Sequence, residues 1–287
     1  MARETSTNGW EAALSGRLDR QRNAIAWLAA WCRAVPEVSS LSVGCSIGRG
    51  AADELSDVDA AIGVRTGAGS AGEQDIESVE RALVAALTGA GELVDVLRSG
   101  SATTELVVRR VFAQFADGLQ LDLAVIAESE VRHGEAAPDF VTVYRSAAAP
   151  ERQAGRRGAH DVAPAQVFEW AFLGWRALLD ADKYLQRGSL WEAHHRLNEA
   201  RDHIWRLWAV AHGAAYPQHG LSQVLDESPG DLPPHIEATV AGLDAVALRA
   251  AVTAAAHVLD TCMEACRPHL PTEPAIAAYA RTLLAQR

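Results

Sequence analysis

The stretch that decides the reading is Gly44-Cys45-Ser46-Ile47-Gly48-Arg49-Gly50-Ala51-Ala52-Asp53-Glu54-Leu55-Ser56-Asp57-Val58-Asp59-Ala60-Ala61-Ile62. A short apolar run, Leu41 to Gly44, leads into small residues, then a loop, then Asp-x-Asp at the head of a second apolar run, Val58 to Val64. Residues two apart on a strand project to one face, so Asp57 and Asp59 set two carboxylates side by side. Like charges that close repel, and burial deepens the conflict. A divalent cation removes it, and hard oxygen ligands of this kind suit magnesium or manganese.

A third carboxylate stands downstream. Leu119-Gln120-Leu121-Asp122-Leu123-Ala124-Val125 reads as a strand with one acid among apolar neighbours. Such an acid is costly unless it is paired or ligates a metal. If its strand neighbours that of Asp59, three carboxylates converge on one site. The plainer reading makes Asp122 an ion-pair partner of Arg109 or Arg110 across the hairpin. Upstream, Ser46, Gly48 and Gly50 leave backbone N–H groups open to phosphate, and Arg49 adds positive charge.

Outward from this core, Ala12 to Arg33 has the apolar spacing of an amphipathic helix that stops before Pro36. Gly63 to Gly72 reads as a loop and Asp75 to Thr88 as a helix. Glu92 to Leu97, Glu105 to Phe115 and Leu119 to Ile126 read as strands, the last two joined by a hairpin turn at Asp117-Gly118. Asp95 and Glu105 are further acids that could face the cleft.

The texture changes after residue 145. Residues 146–159 read as a linker rich in Ala, Arg and Gly, with Arg152, Arg156 and Arg157 on it. Helical patterns follow at Ala165–Arg187, Leu190–Gly213, Pro234–Leu243, Ala245–Cys266 and Glu273–Ala285, with a loop over Pro217 to Pro234. Five Trp between Trp170 and Trp208 recur at helical spacing and read as core between packed helices. The expected fold class is therefore α+β: a mixed sheet flanked by helices over residues 1–145, then an all-α helical bundle over 160–287.

The chain has 287 residues and a net charge of −11. An acidic chain is a poor match for long nucleic acid, whose binding rests on neutralising phosphates, and a better one for small cationic ligands. No apolar run approaches the roughly 20 residues that span a bilayer, so no transmembrane helix is expected. The polar stretch Met1 to Asn8 is unlike a signal peptide, and a cytoplasmic protein is expected. Four cysteines are too few and scattered for a disulfide framework, and Cys262 and Cys266 read as buried free thiols. His194, His195 and His203 share one Trp-rich helix but close no coordination sphere, and surface or core roles are preferred.

The quoted segment resembles the signature of the polymerase-beta-like nucleotidyltransferases: Gly-Ser, an Arg-Gly stretch, Ser-Asp-x-Asp, and a third acid on a later strand. Ser46, Arg49-Gly50, Ser56-Asp57-Val58-Asp59 and Asp122 match in turn, over roughly residues 40–127. Cys45 departs from it, standing where the family has Gly.

The resemblance implies that metal ions held by Asp57, Asp59 and Asp122 bind a nucleoside triphosphate. A hydroxyl then attacks the alpha-phosphorus, and a carboxylate takes its proton. A nucleotidyltransferase domain followed by a helical one resembles the enzymes that adenylylate aminoglycosides or lincosamides. That implies ATP as donor, a small polar and cationic acceptor, Lys183 as a triphosphate ligand and Glu169 as a base or amine-binding acid. The alternatives are modification of a protein or tRNA, as in toxin–antitoxin pairs, or a degenerate site that binds nucleotide without turnover. Arg206 and His212 also resemble the Arg-x4–6-His motif of helical RNA-cleaving domains, a weaker match. The sequence leaves the oligomeric state open.

Overall fold

In the computed structural model, Val58–Val64 (β2) lies inside a six-stranded mixed sheet. The structure describes residues 18–67, 70–102, 107–131, 139–149, 162–227, 230–270 and 272–286. Contacts divide the chain into two units, Met1–Arg157 and Gly158–Arg287.

In the first unit the other strands are β1 (Val38–Val43), β3 (Leu93–Ala102), β4 (Val107–Phe115), β5 (Gln120–Ala127) and β6 (Val141–Arg145). The sheet order is β3-β4-β5-β2-β1-β6. β2 and β5 run parallel, while every other neighbouring pair is antiparallel. A parallel pair needs a long crossover, and the chain between them supplies it as a helix and a strand pair.

Two helices pack on one face of this sheet: α1 (Asp19–Ala34) and α3 (Ser70–Ala86). On α1 the buried positions include Ala24, Ile25, Leu28 and Cys32, the stripe that helical periodicity provides. They join Leu41, Val43, Val58, Ile62, Leu83, Leu121 and Leu123 in one core. Along β5, Leu121, Leu123 and Val125 are buried and Asp122, Ala124 and Ile126 only partly so, the two-residue alternation of a strand with one face covered. The less covered face therefore carries Asp59 on β2 and Asp122 on β5. The Asp117-Gly118 turn is present, with Gly118 at φ 89 and its N–H donating to the Phe115 carbonyl.

Several boundaries move. α1 is described from Asp19, because residues 12–17 lie outside the described residues. α3 begins at Ser70, inside the expected glycine loop. β3 runs on to Ala102 rather than ending at Leu97. β6 is an addition. It reads Val141-Thr142-Val143-Tyr144-Arg145, which alternates apolar and polar, and it pairs antiparallel with β1.

Every described element of the second unit is helical: α4 (Pro164–Gln186), α5 (Leu190–Ala211), α6 (Leu221–Glu227), α7 (Ala245–Ala265), α8 (Ala275–Leu284) and three single 3-10 turns. Trp170, Trp175, Trp205 and Trp208 are core, as expected for most of the Trp set, while Trp191 is 73% exposed. The expected helix over Pro234–Leu243 is only a 3-10 turn at Ile236–Thr239, bounded by His235 at φ 64 before it and by extended Val240 after it. The expected loop after Pro217 holds α6. The 21 residues of α7 are long and apolar enough by composition to cross a membrane. Its Leu248, Val252, Ala255, Leu259 and Cys262 are buried in the core of this unit.

Candidate active site

The carboxylates come together through strand register. In the parallel pair β2–β5, Asp59 stands opposite Asp122. Asp57 lies two residues upstream, at the mouth of β2. Burial, and then the charges of Asp57 and Asp122, push the Asp59 carboxyl up to about 6, against smaller opposing effects of Cys45 and Arg110. Asp122 is raised too, chiefly by burial. Burial and neighbouring charge disfavour both carboxylates as anions, a cost that a cation between them would relieve.

Asp122 also has a protein partner. Arg110 Nη1 donates to both its oxygens, at 3.2 and 3.1 Å, so the hairpin ion pair weighed from the sequence is formed. Among the described residues no three His, Cys, Asp or Glu side chains converge as a ready-made metal cage. The fit is thus partial. Asp57 and Asp59 offer oxygens with no competing cation of their own, whereas Asp122 must share itself with Arg110. Triphosphate oxygens and water would have to complete any coordination sphere.

The turn that precedes them is built differently from the expectation. Cys45–Gly48 forms one helical turn (α2), tied to β2 by the Gly44 N–H donating to the Asp59 carbonyl at 2.9 Å. A Cβ on Gly48 would lie 1.5 Å from the Asp139 carbonyl oxygen, so this glycine is demanded by the chain segment leading into β6, not by phosphate. Gly50 is demanded by its φ of 70. Arg49 is likewise engaged, with Asp139 at 2.8 Å and both side chains largely buried. Ser46 is half-buried, and its carbonyl accepts from the Ala51 N–H.

Cys45 accounts for the departure from the family pattern. Its φ is 52, in the left-handed region that favours glycine, so the turn keeps a glycine-type backbone although the residue is Cys. Its thiol lies beside the Asp59 carboxylate, and burial together with Asp59 pushes that thiol up to about 12.

The loop bearing Asp57 is held from below by residues that the motif does not include. Gln21, buried on α1, donates to the Ser56 carbonyl at 2.8 Å, and Arg20 reaches the carbonyls of Glu54 and Asp117. Within the loop, Asp53 Oδ1 accepts from the Leu55 N–H and the Ser56 hydroxyl. The signature Ser56 therefore braces the loop. The one sequence signal for Gln21 is a polar residue on the apolar stripe between Leu18 and Ile25.

Beside the acids opens a cavity of ≈ 340 Å³ lined by Asp57, Asp95, Leu97, Phe112, Gln114 and Asp122 among others. It offers carboxylates, amides and an aromatic face to a small polar ligand. Asp95 thus faces the cleft, while Glu105 lies outside the described residues.

The remaining candidates belong to the helical unit. Glu169 is exposed on α4 and accepts from Gln166 Nε2 at 2.9 Å. Lys183 is ion-paired with Asp180 and lies over the Tyr184 ring at 4.8 Å. Asp182 is buried and paired with Arg249. His212 is bound to the Trp208 carbonyl and Asp231, while Arg206 turns to Gln218 and His203, so this pair is not joined as one site. Cys262 and Cys266 are buried free thiols, pushed above the usual thiol range by burial.

No protein-family model matches the chain, and no curated protein matches it in sequence. Among solved structures it is similar to an aminoglycoside 6-adenyltransferase from Bacillus subtilis, at 12% identity, over 93% of this chain and 98% of that one, with a TM-score of 0.41. It is also similar to a nucleotidyltransferase-like protein from Exiguobacterium sibiricum 255-15, at 13% identity, over 87% of this chain and 78% of that one, with a TM-score of 0.33. What the site can do is set by its own residues, Asp59 opposite Asp122 on a mixed sheet with Asp57 beside them.

Proposed function

We propose that this chain is a metal-dependent nucleotidyltransferase that moves a nucleoside monophosphate, AMP from ATP, to a hydroxyl of a small polar acceptor and releases pyrophosphate. The observation that carries the reading is the parallel register that sets Asp59 opposite Asp122, with Asp57 at the mouth of the same strand. Magnesium or manganese, when bound, would neutralise triphosphate charge and align the in-line displacement. Asp57 and Asp59 would hold it, and Asp122 would join once Arg110 yields or shifts toward phosphate. Asp122 would also accept the proton of the attacking hydroxyl. Asp95, Gln114 and Phe112 line the neighbouring cavity, which suits a hydroxylated and cationic acceptor. Aminoglycosides and lincosamides are acceptors of that chemistry.

The test is thermal stability with each of the four nucleoside triphosphates, in magnesium and in EDTA. A ligand at a hundredfold excess over Kd stabilises by about 2.7 kcal/mol. A magnesium-dependent upshift with ATP that is lost in Asp57→Asn supports the reading, and release of pyrophosphate with an added acceptor completes it. Absence of any shift with all four nucleotides overturns it in favour of a chain without a working donor site.

A further inference from the structure

The helical unit contains a second charged cavity. α4 and α5 lie antiparallel and enclose ≈ 280 Å³ between them, lined by Arg176, Asp180, Arg196, Glu199, His203 and Arg206 among others. Three arginines stand beside three carboxylates, but the pairing is uneven. Glu199 is taken by Arg196 at 2.7 Å and His195 at 3.4 Å. Asp180 is taken by Lys183, and Arg176 reaches it only at 4.0 Å. Asp202 stands at the exposed rim.

Arg206 is the unusual member. Among the described residues it has no carboxylate partner. Its Nε donates to the Gln218 carbonyl at 3.3 Å and its guanidinium lies 5.9 Å from the Trp170 ring centre, so its plane is fixed. Its Nη1 stands 3.4 Å from His203 Nδ1. A guanidinium only donates, so Nδ1 accepts and the ring proton sits on Nε2. Burial, and then Arg206, hold His203 down to about 4, so the ring is neutral at pH 7.

We propose that this groove is an anion site in which Arg206 and Arg176 clamp a phosphate group and His203 Nε2 adds a third N–H, with no divalent cation required. Forked guanidinium donors fixed on two helices match phosphate geometry better than a single lysine does. The small volume and the rim carboxylate of Asp202 favour one compact phosphate over a polyanion. The ligand class is inorganic phosphate or a small phosphate monoester, and the site is independent of the proposed transfer reaction.

The experiment is calorimetric titration of the full chain in EDTA with inorganic phosphate and, separately, with adenosine 5′-monophosphate. Saturable binding of either one, unchanged in Asp57→Asn and weakened about tenfold or more in both Arg206→Gln and Arg176→Gln, is the expected result. Tighter binding of the monophosphate identifies a phosphate monoester; equal or weaker binding identifies free phosphate. Arg176 is largely exposed, so its variant keeps the fold, and an unchanged melting temperature verifies this. No binding of either probe, binding that survives both arginine variants, or loss in Asp57→Asn overturns the proposal.

Discussion

Cys45 sets its thiol beside the carboxylate of Asp59 from a backbone conformation that suits glycine, at φ 52. The two features pull apart under substitution. Cys45→Gly relaxes the backbone but removes the thiol, so stability should stay within about 1 kcal/mol and the turn should survive. Cys45→Val places a β-branched residue at positive φ and should destabilise by about 1–3 kcal/mol. Urea midpoints of the two variants check this. Equal loss in both would mean that the thiol, not the backbone, sets the cost.

The acid cluster gives a pH dependence in the absence of divalent metal. Asp59 titrates near 6 in the folded chain against an ordinary 3.8. Between those values the folded state binds more protons than the unfolded one, so stability falls as pH rises from about 4 to about 6. The full penalty, about 2 kcal/mol after allowance for solvent, is present above pH 6. Melting temperature in EDTA should therefore carry this downward limb, and Asp59→Asn should flatten it. An identical limb in the variant would place the titration elsewhere.

Gly48 and Gly50 separate two reasons for a glycine. A Cβ on Gly48 meets the Asp139 carbonyl oxygen at 1.5 Å, while one on Gly50 meets nothing within 4 Å. Gly48→Ala should thus cost about 3 kcal/mol or more through displaced backbone, and Gly50→Ala only about 1 kcal/mol through its φ. Denaturation midpoints rank the two, and the reverse order would refute the packing role given to Asp139.

Gln21 touches no proposed substrate but holds the Ser56 carbonyl next to Asp57. Gln21→Leu keeps volume and loses the tether. Stability should fall by about 1–2 kcal/mol while nucleotide-dependent turnover falls tenfold or more, since small displacements of a ligand-bearing loop are costly in rate. A drop in stability with turnover unchanged would make Gln21 a packing residue only.

Much of the first unit was legible because its signals are local. The Val58–Val64 strand has the predicted bounds, and the Asp117-Gly118 hairpin is where turn chemistry puts it. The three acids announce themselves as charges in apolar runs, and the register adds that Asp59 and Asp122 face each other. What escaped depends on distant partners. β6 is only five residues long and is fixed by pairing with β1. Gly48 looks like a phosphate-loop glycine until Asp139 is seen against it. Arg49 looks like a free cation until the same residue is seen beside it. In the helical unit, the apolar pattern over Pro234–Leu243 suggested a helix, but left-handed His235 and extended Val240 confine it to one turn.

The parallel pairing of β2 with β5 has a consequence for how the molecule is made. Its two strands are separated by α3 and the β3–β4 pair, so Asp59 cannot meet Asp122 until that whole excursion has folded and returned. Contacts of such long sequence separation form late, because loop closure must be completed before they contribute. A nascent chain therefore carries its acids far apart, each freely hydrated. The burial that chiefly lifts Asp59, and the smaller push from Asp122, arise only in the finished sheet, which makes that titration a spectroscopic marker for the last step of assembly.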